Sequence, residues 1–338
     1  MARPSATLSA RQVSADNSAP YLKASTRNDP CKKPPADSPR QLRTHRMNTR
    51  SWLAFAALGL IWGLPYFLIK VVVQEVAPFV LAWARLTIAA LILLPIAWRR
   101  GALRGLMAHS GALLAFAVLE FVIPFSAISF GERWISSSTT AILIATVPIA
   151  VVLLSRFFAL HEPLGVRRLM GLLIGFAGVI ALVGFGPITG LRGWAGVGCM
   201  LLATLGYALG PLIIQRYLQG MRPIGPMAVS IAMAALLLLP AALATWPAAL
   251  PSPAVCWSLL ALGAVCTALA MLLMFYLINA AGAARASLIT YVNPAVAALL
   301  GVGILHERLG LGGLMAFVLI LLGTWQATRG GVSKVRNA

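Results

Sequence analysis

The chain has 338 residues, of which 60% are hydrophobic and only 10% charged, and its mean hydropathy is +0.88. A soluble globular chain carries roughly 25% charged residues, so a soluble core with a hydrated exterior is excluded and the bilayer is the solvent that fits. The formal net charge of +19 looks like a nucleic-acid signal, but its placement argues otherwise. Residues 1–46 hold nine Lys/Arg against Asp16, Asp29 and Asp37, while the remainder has eighteen Lys/Arg, five Glu and no Asp. Most of those basic residues sit in short connectors between apolar runs, the positive-inside pattern of a membrane protein and not a groove for phosphates. No nucleic-acid partner is expected.

In chain order, residues 1–46 come first, a polar Ser-, Pro-, Arg- and Lys-rich tail without apolar periodicity, read as disordered. Two readings of it compete: a basic cytosolic arm that touches anionic headgroups, or a segment that is not translated because synthesis starts at Met47. Apolar segments then follow at 52–72, 79–97, 110–130, 136–158, 169–186, 194–214, 225–246, 254–278, 285–304 and 311–328. A helix needs about 20 apolar residues to cross a bilayer, with a range of roughly 17–25, so all ten qualify. A short basic tail closes the chain at 329–338. The connectors are too short to hold a soluble domain.

With a cytosolic N-terminus, thirteen basic residues from Arg50 to Arg336 fall on the inside. Only Lys70, Arg133, Arg192 and Arg308 fall outside. That bias predicts an inner or plasma membrane protein with both termini in the cytoplasm.

A duplication organises the spans. Leu160-His161-Glu162-Pro163-Leu164-Gly165 reappears 145 residues later as Leu305-His306-Glu307-Arg308-Leu309-Gly310. Pro95 and Pro240 are separated by 145 residues, and Pro148 and Pro294, like Pro65 and Pro211, by 146. The units are 52–186 and 194–328, with five spans each. An odd number of spans makes the second unit enter the membrane from the opposite side. The expected fold is therefore an all-α integral membrane protein, ten transmembrane helices as two inverted five-helix repeats, an architecture used for alternating access.

Several motifs carry a family resemblance. They are Trp62-Gly63 with Lys70, Arg85 ahead of Leu86 and Ala89-Ala90, Pro124-Phe125, Gly131-Glu132-Arg133 and Ser136. The Pro148 and Pro294 helices with the loops of Glu162 and Glu307 complete the set. In order and duplication they resemble the EamA-type carriers of the drug/metabolite transporter superfamily over residues 52–328. Tyr207-Ala208 departs from the Trp-containing pair of the first span. The resemblance implies a ten-helix exporter or exchanger of metabolites, amino acids or drug-like compounds.

The residues themselves supply candidates. Glu120 lies mid-span, where an ionisable group costs about 2.5–3.5 kcal/mol on insertion scales and ordinarily faces a cavity or a partner. Arg85 lies roughly 9 Å inside the second span at about 1.5 Å per residue. It is read either as a partner in an Arg85–Glu120 pair lining a cavity or as a residue snorkelling to the headgroups. Trp62, Tyr66, Tyr207 and Asn293 are substrate-binding candidates, followed by Tyr276, Asn279 and Tyr291, because aromatic and amide groups recognise small polar ligands in apolar cavities. Pro148 and Pro294 are read as kinks, with the carbonyl freed near Asn293 as an additional polar group. Glu162 and Glu307 are read as capping or ion-pair residues. Gly171/Gly175 and Gly206/Gly210, spaced by four, predict close helix packing.

No Walker-type phosphate loop is present, so ATP coupling is not expected. Cys199, Cys256 and Cys266 lie inside apolar runs and Cys31 in the tail, with no metal spacing and no CxxC. His161 and His306 belong on opposite faces. No cofactor or metal is expected. A small-molecule substrate and the lipid bilayer are the expected partners, and a homodimer is left open. A secondary carrier leads over a non-transporting scaffold or sensor, and over an intramembrane enzyme, which would want clustered carboxylates or histidines.

Overall fold

The computed structural model describes residues 49–154, 166–185, 188, 190–281, 289–307 and 310–329. Among them there is no strand. The helical segments are α1 (Thr49–Val72), α2 (Pro78–Arg99), α3 (Leu106–Gly131), α4 (Ser137–Leu154) and α5 (Val166–Phe185). They continue as α6 (Gly190–Tyr217), α7 (Ile224–Ala244), α8 (Pro253–Ala280), α9 (Ile289–Gly303) and α10 (Leu311–Arg329). Among the described residues seven of these, α1–α4 and α6–α8, are long and apolar enough to cross a membrane. The apolar stretches described in the other three are shorter, at Leu169–Ala181, Val292–Gly303 and Leu311–Gln326.

Local chemistry explains where the helices start and bend. Pro78 and Pro253 occupy the first turns of α2 and α8, where a missing N–H costs nothing. Ser136 caps α4, its Oγ accepting from the Thr139 amide at 3.1 Å. Inside α4 the helix breaks at Ala145–Thr146, two residues ahead of Pro148, because the ring has no N–H and crowds the preceding turn. The Thr146 hydroxyl donates to the Leu143 carbonyl at 2.6 Å there. Pro294, by contrast, sits within the continuous helix α9. At Pro148 the kink takes the form of a helix break.

Two helices carry π-turns, at Ala117–Val122 in α3 and Ala261–Leu269 in α8. Their positions match across the 145-residue period. Such bulges displace one turn of side chains and are frequent at functional sites.

Several of the main helix contacts are repeated when the halves are exchanged, although among the described residues α1–α4, α2–α3 and α4–α10 have no comparable counterpart. The α1–α9 and α1–α8 contacts correspond to α6–α4 and α6–α3, and α2–α8 corresponds to α7–α3. The pairs α2–α7, α4–α9 and α5–α10 map onto themselves. Arg85 and Ser230 stand 145 residues apart. Arg85 Nε donates to Thr267 Oγ1 of α8, and Ser230 Oγ donates to the Leu113 carbonyl of α3. Small residues permit the closest approaches. A side chain at Gly175 would collide with Ile149, and one at Gly323 with Gly175, which locks α5 to α10. Gly206 meets the Leu119 carbonyl and Pro124, bringing α6 onto α3.

The connectors are also tied. Glu75, between α1 and α2, accepts from the Ser252 amide and hydroxyl, both at 2.7 Å. Those bonds at the start of α8 hold its carboxyl below the usual carboxylate range. Arg222 Nη1 donates to the Arg100 carbonyl at the end of α2 at 2.6 Å.

Glu307 ties the halves together with three hydrogen bonds. It accepts from the Ser137 amide at 2.7 Å, the Ser138 amide at 3.0 Å and the Ser138 hydroxyl at 2.7 Å. A carboxylate thus satisfies the orphan amides at the N-terminus of α4 from 169 and 170 residues away. The capping expected of Glu307 is made to a helix of the other half. Glu162, His161 and Arg308 lie outside the described residues, as do the side chains of Arg167 and Arg168. Hydrogen bonds to a charged group are worth about 1.5–3 kcal/mol. Glu307→Ala should therefore destabilise the protein by about that much, read as a lower midpoint of thermal unfolding in detergent. Gly301→Ala should act in the same direction, because its Cβ would collide with Ser138 Oγ and Glu307 Oε2.

Candidate functional site

A cavity of about 380 Å³ lies at the meeting of α1, α2, α3, α4, α6, α8 and α9. Trp62, Tyr66, Arg85, Glu120, Tyr207 and Asn293 all line it. Every substrate-binding residue in the first group of candidates therefore reaches one space. Each comes from a different position in the chain, and the folding of both halves is needed to assemble them.

Tyr276 and Asn279 lie further along α8, exposed and away from the lining. The side chain of Tyr291 lies outside the described residues.

Arg85 is buried within α2, at 7% exposure, so it does not snorkel to the headgroups. Its Nε donates to Thr267 Oγ1 at 2.8 Å, and its guanidinium carbon sits 4.1 Å from the centroid of the Phe125 ring. A cation over an aromatic face is attracted by the ring quadrupole, more strongly when desolvated. Thr267 in turn donates to the Leu262 carbonyl at 2.8 Å, across the π-turn of α8. That hydroxyl therefore has its proton directed away from Arg85 and its lone pair toward it. Phe125 is itself held edge-on by Phe121, with ring centroids 5.7 Å apart. Arg85 is thus clamped in one orientation by a residue of each half.

Glu120 sits on the π-turn of α3 and packs on the backbone of α6 at Gly210. A Cβ there would collide with its carboxylate. Its Oε2 is buried with no hydrogen-bond partner. The direct Arg85–Glu120 pair is not formed. Both side chains face the cavity, but the guanidinium is engaged by Thr267 and Phe125 and the carboxylate Oε2 is left unpartnered. The reason is geometric: the π-turn aims Glu120 at α6, and Thr267 draws Arg85 toward α8.

Asn293 Oδ1 is a second buried acceptor without a partner. An unpaired buried polar atom costs about 1–3 kcal/mol, so two of them on one cavity wall mark a place where a ligand or water completes the bonding. Pro65 and Pro211, the pair separated by 146 residues, also line the cavity within α1 and α6. The rest of the wall is apolar: Ile69, Phe121, Phe125, Ile128, Ile144, Val147, Met271 and Met274. Sequence reasoning missed Phe125, Cys266 and Thr267 as wall residues. The signal available was the repeat itself, since Cys266 stands 146 residues after Glu120. Among the described residues no group of three or more His, Cys, Asp or Glu is placed to hold a metal ion.

The placement of the cysteines gives a substrate-independent check. Cys256 is exposed near the start of α8, whereas Cys266 is buried on the cavity wall. A maleimide added to detergent-solubilised protein should modify Cys256 at least tenfold faster than Cys266, as read by mass spectrometry of peptides. Prior denaturation should abolish the difference.

The chain matches the EamA-like transporter family twice, over residues 50–184 and 194–329. It is 31% identical over 269 residues to the "Uncharacterized inner membrane transporter YedA" of Escherichia coli (strain K12), covering 76% of this chain and 83% of that protein. It is 25% identical over 287 residues to the "Uncharacterized transporter YoaV" of Bacillus subtilis (strain 168), covering 82% and 96%. A solved crystal structure shares the fold with a TM-score of 0.60 at 19% identity, covering 83% of this chain and 97% of the other. With one match in each half and helices that span the membrane several times, this multi-pass membrane protein belongs to the EamA-like transporter family.

Proposed function

We propose that the chain is a secondary carrier that moves a small amphipathic molecule through the central cavity by alternating access. The observation that carries this reading is the cavity wall. It joins one clamped cation, Arg85, to two unpartnered buried acceptors, Glu120 and Asn293, in a mostly apolar surround that also holds Tyr66, Tyr207 and Thr267. Such a wall suits a ligand with a donor or positive group for the acceptors, an acceptor for the guanidinium and an apolar body. Amino acids, related metabolites and drug-like amines fit that description.

Ten spans in two inverted repeats are the arrangement that best accounts for the packing. Several main helix contacts recur on exchange of the halves, and five spans per unit would reverse the second. Exchange of conformations between two such units moves the opening of the cavity from one face to the other. The basic connectors put both termini in the cytoplasm of an inner or plasma membrane. No chemical step is assigned to the cavity, and the reading is of a carrier and not an enzyme. Export or exchange is the direction we favour, by the family resemblance.

Purified protein in proteoliposomes, challenged with a panel of amino acids and amphiphilic amines at two pH gradients, tests this directly. The wild type should transport at least one compound. Glu120→Gln should lower its rate at least tenfold or abolish its pH dependence. A Glu120→Gln variant with wild-type rates and pH dependence would remove Glu120 from the mechanism, and the absence of any flux across the panel would count against the carrier reading.

A further inference from the structure

One buried group is used neither by the cavity nor by the capping of α4. Glu132 stands in the connector between α3 and α4, one residue beyond the end of the α3 span. Connector carboxylates are ordinarily hydrated, yet Glu132 is 0% exposed, and neither of its carboxylate oxygens has a hydrogen-bond partner.

Its surroundings are built from both halves. From α1, Lys70 reaches over the connector, and its Nζ donates to the Glu132 and Ile135 carbonyls at 2.6 and 2.9 Å. The amine is therefore committed to the backbone and does not bond the carboxylate. From the α9–α10 connector comes Glu307, fixed on the amides of Ser137 and Ser138. From α2 comes Arg85, and from α1 Tyr66, both close enough to interact electrostatically. From α6, Met200 and Cys199 pack against Gly131. The junction lies one helical turn beyond the cavity wall. Tyr66 and Ile128 lie on the cavity wall four residues before Lys70 and Glu132 respectively, or about 6 Å along each helix.

We propose that Glu132 is a proton-binding site and that its protonation holds this junction shut. The inference goes beyond the cavity reading, but it presupposes the opening and closing that a carrier requires.

The argument is one of solvation. A carboxylate without water or hydrogen bonds is strongly disfavoured as an anion. In the closed junction burial holds the Glu132 carboxyl well above the usual carboxylate range. Lys70 and Arg85 oppose this effect, and Glu307 adds to it. Burial wins because neither cation bonds the carboxylate: Lys70 donates to carbonyls and Arg85 to Thr267. When the junction opens, water reaches Glu132 and its affinity for the proton falls toward the ordinary value. The proton comes from, and returns to, bulk water on that face.

The sign follows from linkage. The closed state has the raised pKa, so closure is favoured in acid and lost as pH rises through that value. The same group couples proton binding to which end of the cavity is open, at a position separate from Glu120.

Cys266, on the cavity wall, serves as the reporter. Cys31, Cys199 and Cys256 are replaced by Ser, and the full chain is labelled with a membrane-impermeant methanethiosulfonate in right-side-out and in inside-out vesicles. From the face that bears the junction, labelling of the Glu132 protein should accelerate at least tenfold more between pH 5.5 and 8.5 than labelling of Glu132→Gln. The ionisation of the thiol itself is common to both and cancels in the ratio. Glu132→Asp should keep the acceleration with a shifted midpoint, and Glu307→Gln should label rapidly even at pH 5.5. Equal pH slopes in the Glu132 protein and Glu132→Gln, or no labelling from that face at any pH, would overturn the proposal. If Glu132→Gln fails to fold, loss of the acceleration in a folded Glu132→Asp overturns it equally. Because no substrate is used, equal slopes leave the transport assays on Glu120 unaffected.

Discussion

A hydrocarbon solvent supplies no hydrogen bonds, and this single constraint shapes the rest of the protein. Each backbone polar group within the bilayer must be satisfied inside its own helix, so apolar segments become rods. Charges are driven to the connectors. The few polar groups retained at depth then have to be held by the protein itself. Arg85 is held by Thr267 and Phe125, and Ser230 by the Leu113 carbonyl. Glu120 and Asn293 are not fully satisfied, and both face the cavity. The same constraint that makes the scaffold regular makes these exceptions conspicuous.

The two halves are joined by their polar exceptions more specifically than by their apolar faces. Apolar faces are equally well covered by lipid, so they give packing but little specificity. Glu307 on the N-terminus of α4 and Arg85 on Thr267 of α8 each connect one half to the other with defined geometry. Breaking and remaking contacts of this kind is what an exchange between halves requires. The π-turns lie in the helices that carry Glu120 and Thr267. They aim those side chains away from the positions that a regular helix would give them.

A cavity carboxylate and a junction carboxylate give the chain two acidic sites of different character. Glu120 faces space that a ligand can fill. Glu132 faces packed protein, where only the removal of its charge relieves the cost of burial. A ligand therefore bears on the first and solvent access on the second, and in this arrangement the two can be linked without touching.

The sequence by itself determined the membrane environment, the apolar spans, the duplication and six of the residues that line the cavity, Trp62, Tyr66, Arg85, Glu120, Tyr207 and Asn293. Those properties are written in local composition and period: an unbroken apolar run, a motif repeated after 145 residues, an ionisable group such as Glu120 in mid-span. Only the tertiary structure decided the partners. Arg85 and Glu120 were close enough in the sequence-derived geometry to pair, yet a π-turn and a threonine 182 residues away direct them apart. The sequence marks Glu307 only as a capping or ion-pair residue, and the helix it caps is α4. Glu132 stands in a connector and is nevertheless fully buried. In each case the outcome depends on which helix ends converge, and that is set by contacts between halves that no local pattern records.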